Sequence, residues 1–185
     1  MNKAIFLDRD NTLIVDTGYI YKIADLKWKK GAKTSLAKFA QNGYKLIVIT
    51  NQSGVARGYY TEEEVNIFHK YMNDDLFKSN GLIIDKYYFS PYHPDGTLDK
   101  YRKQSNCRKP GDLLFKKAID EFNIIASDSI VIGDKYSDIK PAFNCGVQKA
   151  YLFYNNNRID NSPNIKVVKT WEEIMNNIET LEFDI

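Results

Sequence analysis

Asp8 and Asp10 stand two residues apart at the end of the apolar run Ile5-Phe6-Leu7, and Asn11-Thr12 follow at once. An apolar run without polar alternation reads as a strand buried on both faces. Ligands of open α/β sheets gather just beyond the carboxyl ends of such strands. Two acids placed there repel each other unless a cation lies beside them. Mg²⁺, bound by oxygen ligands and a substrate phosphate, meets that need. Taken alone, the stretch also fits a plain strand that ends in an acidic turn.

Three further strand ends carry groups of the same kind. Thr50 closes Leu46-Ile47-Val48-Ile49, Arg108 and Lys109 end the polar stretch after a third strand, and Asp134 with Asp138 follows Ile130-Val131-Ile132-Gly133. If the strands run parallel, carboxylates, a hydroxyl beside backbone N–H groups, and a cation meet on one edge. Those are the parts of a phosphoryl-transfer site: nucleophile, acid/base, metal ligands and donors for the equatorial oxygens.

The elements that must position these groups alternate along the chain. The pattern predicts strands at 3–8, 45–50, 85–89, 129–132 and 147–153. Between them it predicts helices at 32–42, stopped by Asn42-Gly43, at 62–78, opened by a Thr61/Glu64 capping box, after Pro110, and at 137–144. Thr170 with Glu173 caps a last helix, while Asp16 to Gly31 and residues 90–109 read as loops. Strand and helix in alternation imply a doubly wound, mostly parallel sheet. No stretch is long enough for a separate cap, so residues 1–185 form one expected domain.

Composition narrows the function classes. A formal charge of +2 with scattered Lys and Arg argues against nucleic acid as a partner. The longest apolar runs are strand-sized, so no membrane helix is expected, and no charged-then-apolar leader precedes Ile5. Two cysteines, Cys107 and Cys145, make no disulfide framework. A reduced, cytoplasmic protein is the expectation, and a monomer, since no heptad or partner helix is evident.

With these residues assembled, the chain resembles the haloacid dehalogenase superfamily. Asp8-Arg9-Asp10-Asn11-Thr12 matches its Asp-x-Asp-x-Thr motif, Thr50 its second motif, Lys109 its third, and Gly133-Asp134-x-x-x-Asp138 its fourth. Within it, Thr50-Asn51-Gln52-Ser53-Gly54-Val55-Ala56-Arg57-Gly58 and Cys107-Arg108-Lys109-Pro110 resemble the small, capless histidinol-phosphate and heptose-bisphosphate phosphatases, the first block favouring the heptose branch. The likeness covers roughly residues 3–153.

The resemblance implies roles. Asp8 would attack phosphorus, and Asp10 would act as general acid and then base. Asp8, Asp134 and the Asp10 backbone carbonyl would hold Mg²⁺, with Thr50 and Lys109 cradling the phosphoryl oxygens. Asp138 would orient either Lys109 or a metal-bound water. Asp16, Thr17, Gly18, Tyr19, Asn51, Ser53 and Lys135 would contact a phosphorylated sugar. Arg108 would grip the phosphate that is not hydrolysed, since a planar guanidinium suits bidentate recognition. The implied substrate is a heptose 1,7-bisphosphate cleaved at its 7-phosphate, for bacterial surface polysaccharide. Alternatives are histidinol phosphate, another sugar phosphate, a nucleic-acid 3′-phosphate, or a non-catalytic binding domain.

The sequence departs from the family in two places. Relatives carry a structural zinc before the third motif, on a Cys-x-His and a Cys-x-Cys pair. Here Ser90 and Tyr92 take the first pair and Ser105 and Cys107 the second, and adding His93 still gives only two ligands. Tetrahedral zinc wants four, so no zinc is expected. The loop must then be ordered by packing through Tyr92 and Tyr101, or move until substrate binds. Asn11 replaces the usual Gly, and Asn tolerates left-handed backbone angles well.

Overall fold

The computed structural model describes residues 1–153 and 162–181. Its centre is a sheet of β1 (Lys3–Leu7), β2 (Tyr44–Asn51), β3 (Lys86–Ser90), β4 (Ile130–Gly133), β5 (Lys149–Phe153) and β6 (Ile165–Val168). The spatial order is β3-β2-β1-β4-β5-β6, and every neighbouring pair is parallel. The chain winds outward from β1 to β3 and then returns to β4 on β1's other side. That reversal makes a crevice at the carboxyl ends of β1 and β4, where open sheets bind ligands.

Parallel strands need crossovers, and helices supply them. They are α1 (Ala32–Gln41), α2 (Glu62–Asn80), α3 (Leu113–Phe122), α4 (Tyr136–Asn144) and α5 (Trp171–Leu181). Successive side chains of β1 enter opposite layers. Ile5 and Leu7 join Leu36, Phe39, Phe68, Met72, Trp171 and Ile174 on the α1/α2/α5 side. Ala4 and Phe6 join Ile47, Leu114, Phe115, Ile139 and Ala142 on the α3/α4 side. Burial on both faces explains the unbroken apolar run, at roughly 1.5–3 kcal/mol for each large side chain removed from water.

The capping box of α2 is present, with Thr61 Oγ1 accepting from Glu64 N–H at 3.1 Å and Glu64 accepting from Thr61 N–H at 2.8 Å. At α5, Thr170 Oγ1 accepts from Glu173 N–H at 3.2 Å. Observed strands differ from expectation by a residue or two: β4 ends on Gly133, and β5 begins at Lys149 rather than 147. β6 is a strand that the sequence pattern did not announce, because four residues with a lysine inside show no usable period. Among the described residues, no helix is long and apolar enough to cross a membrane.

Trp171, fully buried at the start of α5, donates from Nε1 to the Thr12 carbonyl at 3.0 Å. The last helix thereby braces the turn that follows Asp8 and Asp10. Asn11 takes φ 59° in that turn, and Asn has the side chain that best tolerates the angle apart from Gly.

Candidate active site

Asp8 leaves β1 with its N–H bonded to the Ile132 carbonyl at 3.0 Å, so the first aspartate is pinned to β4 by backbone. Asp134 follows the end of β4 directly, and Asp138 lies in the first turn of α4, accepting from Lys135 N–H at 3.0 Å. The turn passes so close to α4 that a Cβ on Gly133 would stand 2.5 Å from Asp138 Cβ. Only glycine fits there. Oxygens of Asp8, Asp134 and Asp138 come within 4.8 Å of one another.

Lys109 reaches this group from the loop before α3. Its buried ammonium donates to Asp8 at 2.7 Å and to the Ile49 carbonyl at 2.6 Å, and pairs with Asp138 at 2.7 Å. Burial opposes the charge on Lys109, but Asp138 and Asp8 outweigh it and hold the pKa above the usual value. Asp8 is pushed up to about 8 by burial, against Lys109 and with Asp138, Asp10 and Asp134 adding to the rise. Asp134 rises to about 6, through burial first and Asp138 next. Three carboxylates crowd one buried lysine, so the floor carries more negative charge than its own cation offsets. Hard oxygen donors with excess negative charge fit Mg²⁺ well. Both oxygens of Asp138 are engaged, Oδ1 by Lys109 and Oδ2 by Lys135 N–H, whereas Lys109 takes only Oδ1 of Asp8, which leaves Asp8 and Asp134 as the side chains best suited to the ion.

Above these groups opens a cleft of about 320 Å³. Of the residues expected at the site, Asp8, Asp10, Asp16, Gly18, Tyr19, Asn51, Ser53, Arg108, Lys109, Asp134, Lys135 and Asp138 line it. Two do not. Thr50 is buried beside the cleft and accepts from Gln52 Nε2 at 2.9 Å, with its own O–H left to donate. Thr17 is exposed, because Asp16 Oδ1 accepts Gly18 N–H at 2.8 Å and the turn so formed carries Thr17 outward. Tyr19 follows with φ 54°, a left-handed angle for a bulky residue.

Asn51 has a task the sequence did not suggest. Its Oδ1 accepts Lys109 N–H at 2.9 Å and its Nδ2 donates to the Lys109 carbonyl at 3.0 Å, so the amide clamps the lysine's backbone. Arg9, Gln52 and Ser137 also line the cleft and were missed, and Tyr60 lines it although its place beside Gly58 favoured packing over a place at the mouth. Arg9 had a legible signal: a cation set between two acids at a strand end. Gln52 had none, since its place depends on how the loop folds back.

The loop after β3 is tied down by hydrogen bonds and ring contacts. Leu98 N–H donates to the Ala56 carbonyl at 3.0 Å and His93 N–H to the Tyr101 carbonyl at 3.2 Å. Tyr101 donates to Glu62 at 2.6 Å, and its ring lies 6.2 Å from that of Tyr92. Ordering by packing, one of the two expected possibilities, is what the structure has. Cys107 packs against the α3/α4 core, and His93 Nδ1 accepts from Asp95 N–H at 3.0 Å.

Paired aspartates just after the first strand, a lysine clamped between carboxylates and an acid after the fourth strand define a phosphatase centre of the haloacid dehalogenase type. Residues 3–152 match the family model described as polynucleotide kinase 3 phosphatase. The chain is 37% identical over 150 residues to the D-glycero-beta-D-manno-heptose-1,7-bisphosphate 7-phosphatase of Haemophilus ducreyi, covering 81% of this chain and 82% of that one. It is 35% identical over 150 residues to the D-glycero-alpha-D-manno-heptose-1,7-bisphosphate 7-phosphatase of Photorhabdus laumondii, covering 81% of each. Its fold matches the D,D-heptose 1,7-bisphosphate phosphatase of B. bronchiseptica, solved with magnesium and phosphate, at TM-score 0.82 and 22% identity over 96% of this chain and 98% of that one. The chain belongs to the haloacid dehalogenase superfamily, in the family of small phosphatases that includes the heptose-bisphosphate enzymes.

Proposed function

We propose that this protein removes the 7-phosphate of a D-glycero-D-manno-heptose 1,7-bisphosphate through an aspartyl-phosphate on Asp8. The observation that carries the reading is Lys109, held at 2.7 Å from both Asp8 and Asp138 on the floor of a cleft whose wall includes Arg108. Asp8 and Asp134, with the Asp10 backbone carbonyl implied by the family, would hold Mg²⁺. The bound ion would neutralise charge on the phosphoryl oxygens and keep Asp8 ionised.

Asp8 attacks phosphorus along the line of the leaving oxygen. Asp10 gives that oxygen its proton and later takes one from the hydrolytic water. Lys109 and the Thr50 hydroxyl donate to the equatorial oxygens, and Asp138 keeps the ammonium aimed. At the mouth, Asp16, Gly18, Tyr19, Ser53 and Lys135 meet the sugar, and Arg108 takes the 1-phosphate. The protein works as a single-domain monomer in the cytoplasm, without a structural zinc, in the supply of heptose for surface polysaccharide.

Phosphate release with Mg²⁺ tests this on both heptose 1,7-bisphosphate anomers, histidinol phosphate and a 3′-phosphorylated oligonucleotide. We expect one heptose anomer to be preferred by ~100-fold in kcat/KM, about 2.7 kcal/mol of transition-state discrimination. Equal or greater turnover of histidinol phosphate or the oligonucleotide would overturn the substrate assignment. The oligonucleotide is included because of the family model's description.

A further inference from the structure

Arg9, between the two aspartates, is fully buried and makes a network that the reaction scheme above does not use. Its Nε donates to Asp10 Oδ1 at 3.0 Å, and its Nη2 to Asp10 Oδ2 at 3.2 Å, to Gln52 Oε1 at 3.0 Å and to the Ile20 carbonyl at 2.9 Å. Gln52 turns its Nε2 to Asp10 Oδ2 at 2.8 Å, and the Tyr60 hydroxyl fixes Gln52 by donating to Oε1 at 2.8 Å. Three N–H donors thus hold both oxygens of one carboxylate. Asp10 keeps 21% side-chain exposure, so the held group still reaches the cleft.

The remaining arm of the guanidinium points to α2. Arg9 Nη1 lies 3.2 Å from His69 Nε2, and His69 is buried and stacked on Tyr87 with ring centroids 4.4 Å apart. A guanidinium can only donate, so Nε2 must accept and the imidazole proton belongs on Nδ1. Burial, and then Arg9, keep the His69 pKa well below its ordinary value, in agreement with a neutral ring. The choice of residue has consequences. A carboxylate here would share the Arg9 charge with Asp10, and an aliphatic side chain would leave a buried donor without an acceptor. A neutral acceptor does neither, and Asp10 stays the only carboxylate that Arg9 pairs with among the described residues.

We propose that His69 is a positioning residue, acting through Arg9 and together with Gln52 to fix the Asp10 carboxylate for proton delivery to the leaving oxygen. This rests on the reading of Asp10 as the acid/base. It names a histidine on α2, 60 positions from Arg9 in sequence, as part of the catalytic apparatus.

The test compares kcat/KM, which reports the steps up to release of the leaving group and leaves out the later hydrolysis of the aspartyl-phosphate, on an alkyl ester, whose alkoxide must be protonated, and on p-nitrophenyl phosphate, whose leaving group departs unprotonated. The alkyl ester is the heptose bisphosphate, or glycerol 3-phosphate if the heptose ester is inert. His69→Leu should lower kcat/KM on the alkyl ester by roughly 10- to 100-fold and on the aryl ester by less than about threefold. His69→Gln, which restores an acceptor, should recover most of the loss. Equal losses on both esters, no loss on either, or a Gln variant no better than Leu would overturn the proposal. If His69→Leu does not fold, Gln52→Leu is read the same way, and an unselective or absent loss has the same meaning. Asp10→Asn separates the two levels. If it shows no selectivity for the alkyl ester, the acid/base reading falls; if it does and the His69 variants do not, only the positioning role falls.

Discussion

Arg108 and Lys109 are neighbours in sequence and opposites in surroundings. Lys109 is enclosed, with its ammonium held by Asp8, Asp138 and the Ile49 carbonyl. Arg108 is half-buried, and among the described residues its side chain's one hydrogen bond is a long 3.4 Å contact from Nη1 to the Tyr92 carbonyl. Among the described residues no carboxylate pairs with it, and burial and Arg57 lower its pKa. One cation has its counter-charges built in. The other has room and charge for an anion that arrives from solution. The same contrast runs through the cleft, from a floor of strand ends to a mouth of loops around Asp16–Tyr19 and Ser53. A buried ion network permits one arrangement and so defines a reaction, whereas exposed loop groups can be exchanged and so choose a substrate.

The contrast would break most visibly at Asp8. Asp8→Asn should lower turnover by roughly 10⁴-fold or more on every phosphate ester tried, with the circular dichroism spectrum unchanged. A variant that still turned over at near wild-type rate would mean that the floor does not supply the nucleophile.

Arg108→Ala should act on one substrate class only. A charged hydrogen bond to phosphate is worth about 1.5–3 kcal/mol, so kcat/KM for a sugar bisphosphate should fall roughly 10- to 100-fold. The matching monophosphate should change by less than about threefold, because its single phosphate belongs to the floor. Equal losses on both would make Arg108 part of the floor and erase the distinction.

The same division decided what could be read from the sequence. Asp8 and Asp134 were legible because parallel strands converge at one edge, so strand ends can be placed together before any loop is known, while Lys109, at the far end of the loop after β3, was legible through its resemblance to the third motif. The convergence of β1 and β4 at the reversal of strand order is what makes this work. Thr17 was misplaced because the direction of its turn is set by the Asp16 to Gly18 hydrogen bond, and Gln52 was overlooked because its bonds with Arg9, Asp10, Thr50 and Tyr60 exist only once the loop has folded back. Asn51 was assigned to substrate on its position, while its amide is occupied with Lys109's backbone. β6 escaped because four residues at a sheet edge take their conformation from β5 rather than from their own pattern.

The smallest expected effect concerns the charge excess of the floor. In the metal-free protein Asp8 titrates near 8 and Asp134 near 6, both raised from 3.8 by burial and neighbouring carboxylates. The unfolded chain loses these protons near pH 4, so across the interval from there to pH 8 the folded chain binds more. Stability from these two groups therefore declines as pH rises through that interval. Mg²⁺ binds the ionised carboxylates. At pH 5 it must displace protons, and at pH 8 it need not. Saturating Mg²⁺ should thus raise Tm by a few degrees at pH 8, on the order of 1–2 kcal/mol, and by much less at pH 5. His69, with its depressed pKa, loses stability as pH falls below about 6.5, but this affects both samples and cancels in the difference. Asp134→Asn should abolish the increment and Arg108→Ala, at the mouth, should keep it. An increment that is flat with pH, or that survives in Asp134→Asn, would take the metal away from the floor and leave protons as what offsets its excess negative charge.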